Sequence, residues 1–510
     1  MCQMVSWVIK MITACFNRYP YIVRRPFHLW VRNMGKAANG NKIIPYDKTD
    51  RDSILQYAAK LTGHSLSDFT DIIDEDDPIH AKGYFGQALE TGYFFLDNNS
   101  SPLPDFPEAG LELKSTPMKE VKRGLVSKER LILGIINYME VNEEGCWKKV
   151  FGKKSEDLLI VFYRHVPGVP YYEYRIIKVT EWTFPEEDLR IMKEDWNVIE
   201  RYILEGKAEQ LSEGLTNYLA ACTKGVGHGK DLRQQPFSDV KAKQRALSLK
   251  SSYVNRIFKG STDLSEVIFK EHVVSKPKKT KKQDDTQNLF EEVWDESTTF
   301  EESVIQKMSE FVGMKCGEIE KSVGTLNPES KSYYAYLSRY MLGVKTRDIR
   351  EFCNADIALK TIRLNTKNKS KESMSFPFFD FKEVAEQDWD DSDFQEQLDK
   401  KFFFAVFRMT DAGNKDKRNA EFLGAFFWTI PYADMLEAEK VWTRAKNLII
   451  QGDYDNFPRK SQSRVAHVRP HAKDKTDTIE GPDGKQHLKK CFWLNWDYIT
   501  QVALDGLKKR

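Results

Sequence analysis

The sequence predicts a mixed α/β protein in which one fold occurs twice along the chain. Three observations predict it: amphipathic helical segments, short apolar strands with turns, and the repetition of both at a fixed distance. The segment 185–206 has apolar residues at alternating spacings of three and four, and its last residue, Gly206, ends the helix. A segment with the same spacing lies 246 residues later and ends at Gly452.

Predicted strands repeat in the same order. The apolar runs at 158–163 and 402–407 are each followed by a turn and a second apolar run, which is typical of a β-hairpin. The segments 245–257 and 489–502 share the spacing of their apolar residues, and each has a tyrosine at the corresponding place. We therefore expect two copies of one fold.

The repeat predicts four parts: an N-terminal extension at 1–40, a first domain at 41–274, a charged linker at 275–295 and a second domain at 296–510. The linker is rich in lysine and lacks apolar periodicity; a nuclear-targeting signal is the less favoured interpretation. The extension lacks a leading basic region and a cleavage site, so translation from Met34 is favoured over a signal peptide.

Composition indicates a globular protein of the cytoplasm. Of 510 residues, 41% are hydrophobic and 30% are charged, and the net charge of +2 requires any nucleic-acid contact to come from a local basic patch. Seven scattered cysteines without a CxxC pair favour reduced thiols and disfavour structural zinc. No segment is long and apolar enough to predict contact with a membrane.

Residues 104–117, PDFPEAGLELKSTP, form a turn that leads into a strand. Side chains alternate along a strand, so Leu111 and Leu113 share one face and Glu112 and Lys114 share the other. Asp105 lies just upstream of this polar pair.

The pattern D-x6-E-x-K places two carboxylates and one ammonium around one point. Two carboxylates suit Mg²⁺, which keeps several waters and binds phosphate oxygens, and a bound metal lowers the pKa of its water. Lys114 is placed to orient that water or to stabilise charge on the phosphorus. Because such a pattern arises readily by chance, a solvated strand face with a Glu–Lys pair is the competing interpretation.

The second half provides an internal comparison for the polar residues. A shift of 246 places Ala358 at the position of Glu112 and Glu351 at that of Asp105, while Lys360 keeps the lysine. The packing face is retained and the polar face is degraded, so the polar residues are not needed for folding. This contrast indicates that they perform chemistry in the first half.

Several segments resemble known nucleases. Residues 82–94 and 127–138, with the strand between them, resemble the MutH-type nucleases of the PD-(D/E)xK superfamily. Residues 211–225 and 239–253, together with the double length, resemble the GATC-cutting type II restriction endonucleases of the Sau-three-A type, from about residue 45 onward. The resemblance implies an α/β mixed-sheet, restriction-endonuclease-like core with flanking helices in two tandem copies, the second catalytically degenerate.

The resemblance also implies a site and a cofactor. It adds Glu90, whose counterpart in the second copy is Ser338, and a second lysine, for which Lys153 and Lys154 both remain candidates. The implied cofactor is Mg²⁺, and the implied reaction is cleavage 5′ of G in GATC, leaving 5′-phosphate ends. The predicted catalytic residues are Glu90, Asp105, Glu112 and Lys114, and the predicted metal ligands are Asp105 and Glu112.

A basic segment is the candidate DNA-reading part. Residues 222–260 contain nine lysines and arginines and two aspartates. Such a run can contact phosphates and base edges, although a solvated face is the competing interpretation. The resemblance places Lys224 in the recognition loop and implies that the second half is an effector domain binding a second copy of the site. The other candidate DNA contacts are Arg245, Lys250, Arg469 and His471.

These observations predict a type II restriction endonuclease acting on double-stranded DNA that contains GATC, with a cognate methyltransferase acting on the same site. The alternatives are a MutH-like mismatch-repair nickase and a non-catalytic DNA-binding regulatory protein. One intact site per chain and two strands per duplex predict dimerisation on DNA or sequential nicking.

Overall fold

The structure is a computed structural model, and it describes residues 44–69, 83–97, 103–122, 124–141, 146–224, 231–269, 286–287, 289, 297–370, 372–411 and 416–509. The predicted N-terminal extension, with Met34, and most of the predicted linker lie outside the described residues.

The helices are numbered here in chain order, apart from short 3₁₀ turns. They are α1 Arg51–Ala58, α2 Tyr84–Gln87 with a π-helix at Ala88–Tyr93, α3 Cys146–Val150, α4 Gly152–Ser155, α5 Glu186–Leu204, α6 Ser251–Gly260, α7 Leu264–Phe269, α8 Phe300–Ser309, α9 Cys316–Val323, α10 Tyr333–Met341, α11 Arg350–Ala355, α12 Phe381–Glu386, α13 Asp393–Leu398, α14 Tyr432–Ile450 and α15 Trp496–Lys508.

The strands are β1 Glu112–Val121, β2 Gly124–Ser127, β3 Leu131–Ile135, β4 Asp157–Arg164, β5 Ile176–Thr183, β6 Leu219–Thr223, β7 Leu232–Gln235, β8 Ser238–Lys243, β9 Arg245–Leu249, β10 Thr286–Gln287, β11 Asp348–Ile349, β12 Ile357–Leu364, β13 Met374–Phe378, β14 Lys401–Arg408, β15 Glu421–Trp428, β16 Ala466–Pro470, β17 Thr478–Glu480, β18 Gln486–Leu488 and β19 Lys490–Leu494.

The chain divides into two compact units. Unit 1 comprises residues up to 133, 145–185 and 254–278, and unit 2 comprises 134–144, 186–253 and 279–510. Compactness thus groups residues 186–253 with the C-terminal half of the chain. The boundaries predicted at 274 and 296 follow the sequence repeat instead and remain a prediction.

Unit 1 is built on a mixed sheet of order β2-β1-β4-β5, in which β1 and β4 are parallel and the other pairs are antiparallel. The run from Leu158 to Phe162 in β4 is buried throughout, as expected for a central strand covered on both faces. Leu111 and Leu113 join the same hydrophobic cluster. The alternation therefore directs both leucines into the core, as the sequence predicts.

Unit 2 contains a sheet of order β12-β14-β15 with the same directions: β12 and β14 are parallel, and β14 and β15 are antiparallel. Glu112 is opposite Leu158 in unit 1, and Ala358 is opposite Phe402 in unit 2. A further sheet in unit 2 has the order β13-β19-β16. The mixed α/β class is thereby confirmed.

Helices α5 and α14, both in unit 2, carry the same buried contact. Each has 19 residues, and their first residues lie 246 positions apart in the chain. In α5, Asp188 accepts a hydrogen bond of 2.6 Å from the Tyr253 hydroxyl. In α14, Asp434 accepts one of 2.8 Å from the Tyr498 hydroxyl. Each tyrosine holds the helix that follows a β-hairpin against a later segment of the chain.

Among the described residues, no helix combines the length and apolarity that crossing a membrane requires. The five described cysteines are thiols rather than members of disulfides.

The paired Tyr–Asp contacts predict matched losses of stability. Tyr253→Phe and Tyr498→Phe each remove a donor from a buried carboxylate, which costs about 1–3 kcal/mol. Urea denaturation of each variant measures the loss, with Tyr336→Phe at an exposed position as the control. Equal stability of all three variants would show that the contacts do not hold the helices.

Candidate active site

A tight turn brings the two predicted metal ligands together. Phe106 and Leu111 exchange both main-chain hydrogen bonds, at 3.0 and 3.2 Å. Gly110 has a φ of 66°, a conformation that glycine adopts without steric cost. Phe106 is buried, and its ring lies 5.7 Å from that of Phe94. Asp105 and the first residue of β1 therefore lie on adjacent segments of one small hairpin.

Each of the two acids is fixed by the main chain near the other. The Asp105 N–H donates to Glu112 Oε2 at 3.1 Å, and the Leu113 N–H donates to Asp105 Oδ2 at 3.0 Å. Hydrogen bonds to ionised carboxylates are the stronger kind. These two bonds interlock the carboxylates, and we call this arrangement the acid hairpin (residues 105–112).

Lys114 completes the cluster from the same face of β1. Its Nζ lies 2.6 Å from Glu112 Oε1, and its side chain is 20% exposed. Glu112 is only 1% exposed, which does not fit the interpretation of a solvated Glu–Lys face. A buried acid at the end of a strand is costly unless it is paired, and here the lysine and the Asp105 N–H provide partners.

Glu90 lies in the π-helix at Ala88–Tyr93 and is half-buried. This helical segment approaches β1 closely, because a Cβ at residue 86 would lie 3.4 Å from Ser115 Oγ. Short π-helical stretches occur often at functional sites. The role of Glu90 in catalysis remains a prediction. Lys153 and Lys154 both lie in α4, just before β4, so the choice between them stays open.

The donor set suits a hard cation. Within the described ranges, no group of three or more His, Cys, Asp or Glu side chains is arranged to hold a metal. Mg²⁺ does not require one, because it is usually held by one or two carboxylates together with waters and substrate phosphates. The oxygen chemistry and the fixed spacing of Asp105 and Glu112 fit this mode of binding.

Sequence reasoning missed Arg51, at the start of α1. Its Nη1 donates to the Ala109 carbonyl and to Asp157 Oδ2, both at 3.2 Å, and its Nε donates to Glu181 Oε1 at 2.6 Å. Arg51 therefore ties the tip of the acid hairpin to β4 and β5. The partners are 58 to 130 residues away in sequence, so no local pattern could have revealed them.

The corresponding positions of the second half have other contacts. Ala358, at the position of Glu112, has no carboxylate. Glu351 lies in α11 and accepts a hydrogen bond of 3.1 Å from the Leu289 N–H. Ser338 is buried and donates to the Tyr334 carbonyl at 2.8 Å.

The predicted DNA contacts fall into exposed and buried groups. Lys224 is exposed at the end of β6, next to residues outside the described ranges. Arg469 and His471 are also exposed, and both flank Trp493: the guanidinium carbon lies 3.6 Å from its ring centroid and the imidazole 5.9 Å. A cation stacked on an aromatic ring is a common element of nucleic-acid surfaces.

Arg245 and Lys250 lie inside unit 2. Arg245 donates to the Ala221 carbonyl at 2.7 Å, and Lys250 donates to the Thr216 carbonyl at 2.7 Å. Burial lowers the pKa of Lys250 to about 8. Both cations are bound to main-chain carbonyls in the interior, and their contact with phosphates remains a prediction.

Two kinds of known protein are similar to this chain. A family model described as the DNA mismatch repair enzyme MutH matches residues 94–195, which include the acid hairpin. The type II restriction enzyme Sau3AI of Staphylococcus aureus is 31% identical over 481 aligned residues, covering 84% of this chain and 93% of that enzyme. The chain belongs to the Sau3AI family of type II restriction enzymes. The resemblance to MutH-like nucleases is thus confirmed, and with it the class of enzyme, a site-specific nuclease.

MutH proteins match a smaller part of this Sau3AI-family chain. The DNA mismatch repair protein MutH of Shewanella woodyi is 25% identical over 36% of this chain and 78% of its own length. That of Vibrio vulnificus strain YJ016 is 23% identical over 42% of this chain and 96% of its own length. More than half of the present chain therefore lies outside these matches.

The contacts of Arg51 predict a role in positioning the acid hairpin. Arg51→Leu releases the hairpin tip, so we expect the rate of DNA cleavage to fall about 10- to 100-fold, as misplaced catalytic groups do, with DNA affinity unchanged. Single-turnover cleavage and a gel-shift titration measure the two effects.

Arg164→Leu is the matched control, because it breaks an exposed ion pair with Glu120 at the opposite end of β1 and β4. We expect this variant to cleave at the wild-type rate. A similar loss of rate in both variants would contradict a specific role for Arg51.

Proposed function

We propose that this protein is a Mg²⁺-dependent type II restriction endonuclease that hydrolyses both strands of double-stranded DNA 5′ of G in GATC and leaves 5′-phosphate ends. The observation that carries the proposal is the acid hairpin with Lys114, in which hydrogen bonds hold two carboxylates and an ammonium group together. The membership of the Sau3AI family supports the same reaction class.

In this reaction an oxygen atom of water bonds to phosphorus, and the bond from phosphorus to the 3′ oxygen breaks. Asp105 and Glu112 would hold the metal, which supplies charge neutralisation on the phosphodiester and lowers the pKa of a water ligand. Lys114, whose Nζ is held at 2.6 Å by Glu112, orients the attacking water or stabilises the charge that develops on the phosphate. Glu90 is proposed as a further acid of the site.

The target sequence rests on the resemblance to the Sau-three-A type. Lys224 is the proposed contact of the recognition loop in the first half. A methyltransferase acting on GATC is the expected partner, because a cell must protect its own sites from such an enzyme. We propose a cytoplasmic location, which the reduced state of the described cysteines supports.

We further propose that the chain arose by tandem duplication and that the second copy is catalytically degenerate. Three observations support this proposal: the common strand directions of the two sheets, the two Tyr–Asp contacts and the absence of an acid at Ala358. The second half is proposed to bind another copy of the site, with Arg469 and His471 among its contacts.

Two alternatives are separated from the proposal by their products. A nickase of the MutH kind is favoured by the MutH family match and would leave open circles. A non-catalytic regulatory protein would retard the migration of DNA in a gel without cleaving it. The paired acids of the hairpin argue against this alternative.

Cleavage of plasmid DNA tests the site directly. With Mg²⁺ we expect linear fragments whose sequenced ends begin with GATC, and with EDTA no cleavage. Glu112→Gln and Lys114→Met should each lose at least about 100-fold in rate. Glu351→Gln and Lys360→Met, at the positions of the second half that correspond to Asp105 and Lys114, should keep wild-type rates. Unchanged cleavage by Glu112→Gln would refute the assigned site.

One intact site per chain predicts that two chains meet on the palindrome. At low occupancy, the rate of double-strand cleavage should then depend on the second power of enzyme concentration, as measured with a single-site duplex. Nicked intermediates with a first-order rate would support sequential nicking. First-order cleavage of both strands in one encounter would refute both arrangements.

A further inference from the structure

The hairpin of β7 and β8 in unit 2 presents an exposed aromatic ring. Gln235 pairs with Ser238, so Pro236 and Phe237 form a two-residue turn. Phe237 has a φ of 62°, at the turn position that glycine or asparagine normally takes when proline precedes it. Its side chain is nevertheless 74% exposed. The backbone conformation disfavours phenylalanine at this position, and the side chain is too exposed for burial to favour it.

Hydrogen bonds of a buried side chain and close packing fix the backbone of the turn. The Gln235 side chain is buried; its Nε2 donates to the Val240 carbonyl at 2.6 Å and to Glu209 Oε2 at 2.8 Å, while its Oε1 accepts from the Ala208 N–H at 2.7 Å. A Cβ at residue 206 would lie 2.7 Å from the Phe237 carbonyl oxygen. The backbone of the turn is therefore packed against the end of α5 while the ring points away from the core.

A bulky residue in the left-handed region is strained, and an exposed ring gains little of the free energy that its burial would give. A rigid and exposed aromatic side chain is typical of a contact that is completed by a partner, since little conformational entropy is lost on binding.

The position of the hairpin indicates which partner. It lies in the excursion between β6 and β9, which is closed by a hydrogen bond of 2.9 Å from the Lys224 N–H to the Gln244 carbonyl. This segment begins at Lys224, the proposed contact of the recognition loop. Lys224, Arg233 and Lys241 are exposed on it, so the same segment of chain carries cations suited to phosphates.

We propose that Phe237 is a DNA wedge whose ring stacks on, or inserts between, the bases of the bound duplex while the nearby cations hold the phosphates. Apolar side chains inserted at base steps unstack and kink DNA in this way. The proposal rests on the proposed function, in that duplex DNA is the ligand. It goes further than that function, because it assigns the deformation of a base step to Phe237, which lies outside the recognition loop.

Phe237→Ala, Phe237→Trp and Leu232→Ala test the wedge in the full-length chain carrying Glu112→Gln. Leu232 is the matched control, because it is exposed on the same hairpin. The probe is a set of GATC duplexes with 2-aminopurine at successive positions in and beside the site. Stacking is worth about 1–3 kcal/mol per base, so Phe237→Ala should weaken binding about 5- to 150-fold and abolish the fluorescence rise at one base step.

Phe237→Trp should keep both signals, and Leu232→Ala should bind as the parent does. Thermal unfolding of Phe237→Ala should be unchanged or raised, because the ring is not part of the core. Parental affinity and fluorescence in Phe237→Ala would overturn the wedge. Loss of a dimer in sedimentation without loss of DNA affinity would also overturn it and would indicate a contact with a second copy of the chain.

The two proposals fail separately. If the wild-type protein binds the duplex with the fluorescence rise but does not cleave it, the proposed function fails and the wedge stands. If the wild type cleaves and Phe237→Ala behaves as the parent does, only the wedge fails.

Discussion

The interlock of Asp105 and Glu112 is the constraint on which this account depends. Two carboxylates repel one another, and a chain that keeps them adjacent must provide compensation. Here each acid accepts a main-chain N–H from beside the other, and Lys114 adds a positive charge. The strand that supplies these groups also packs its leucines into the core. The stability of the fold thus maintains the geometry of the site.

Much of this arrangement could be predicted from local patterns. The alternation of leucine with charged residues places Glu112 and Lys114 on one face, and the offset of 246 identifies the helices and strands that correspond. The role of Arg51 could not be predicted, because its partners come from three distant segments. No sequence pattern predicts the π-helix that carries Glu90. The shifted pairing of its main-chain hydrogen bonds depends on tertiary packing.

The basic segment 222–260 shows why a count of charges is a weak guide to DNA contacts. Arg245 and Lys250 serve the interior, where main-chain carbonyls accept their hydrogen bonds. Asp195, on α5, accepts hydrogen bonds from three main-chain N–H groups at the start of β6, and burial raises the pKa of Asp195 to about 6. Part of the basic charge of this segment therefore holds the strands that flank the proposed recognition loop.

Under the proposed duplication, the second half keeps the fold and has lost the site. Sheet directions and Tyr–Asp contacts occur at both places because they stabilise the fold. The Glu112 carboxylate has no counterpart at Ala358, as expected if it serves only the proposed reaction. An anomalous-scattering map from crystals soaked in Mn²⁺ as a substitute for Mg²⁺ is the most direct measurement. The account predicts strong density bound by Asp105 and Glu112 and none near Glu351 or Ala358. Density beside those two residues, with none at the acid hairpin, would contradict it.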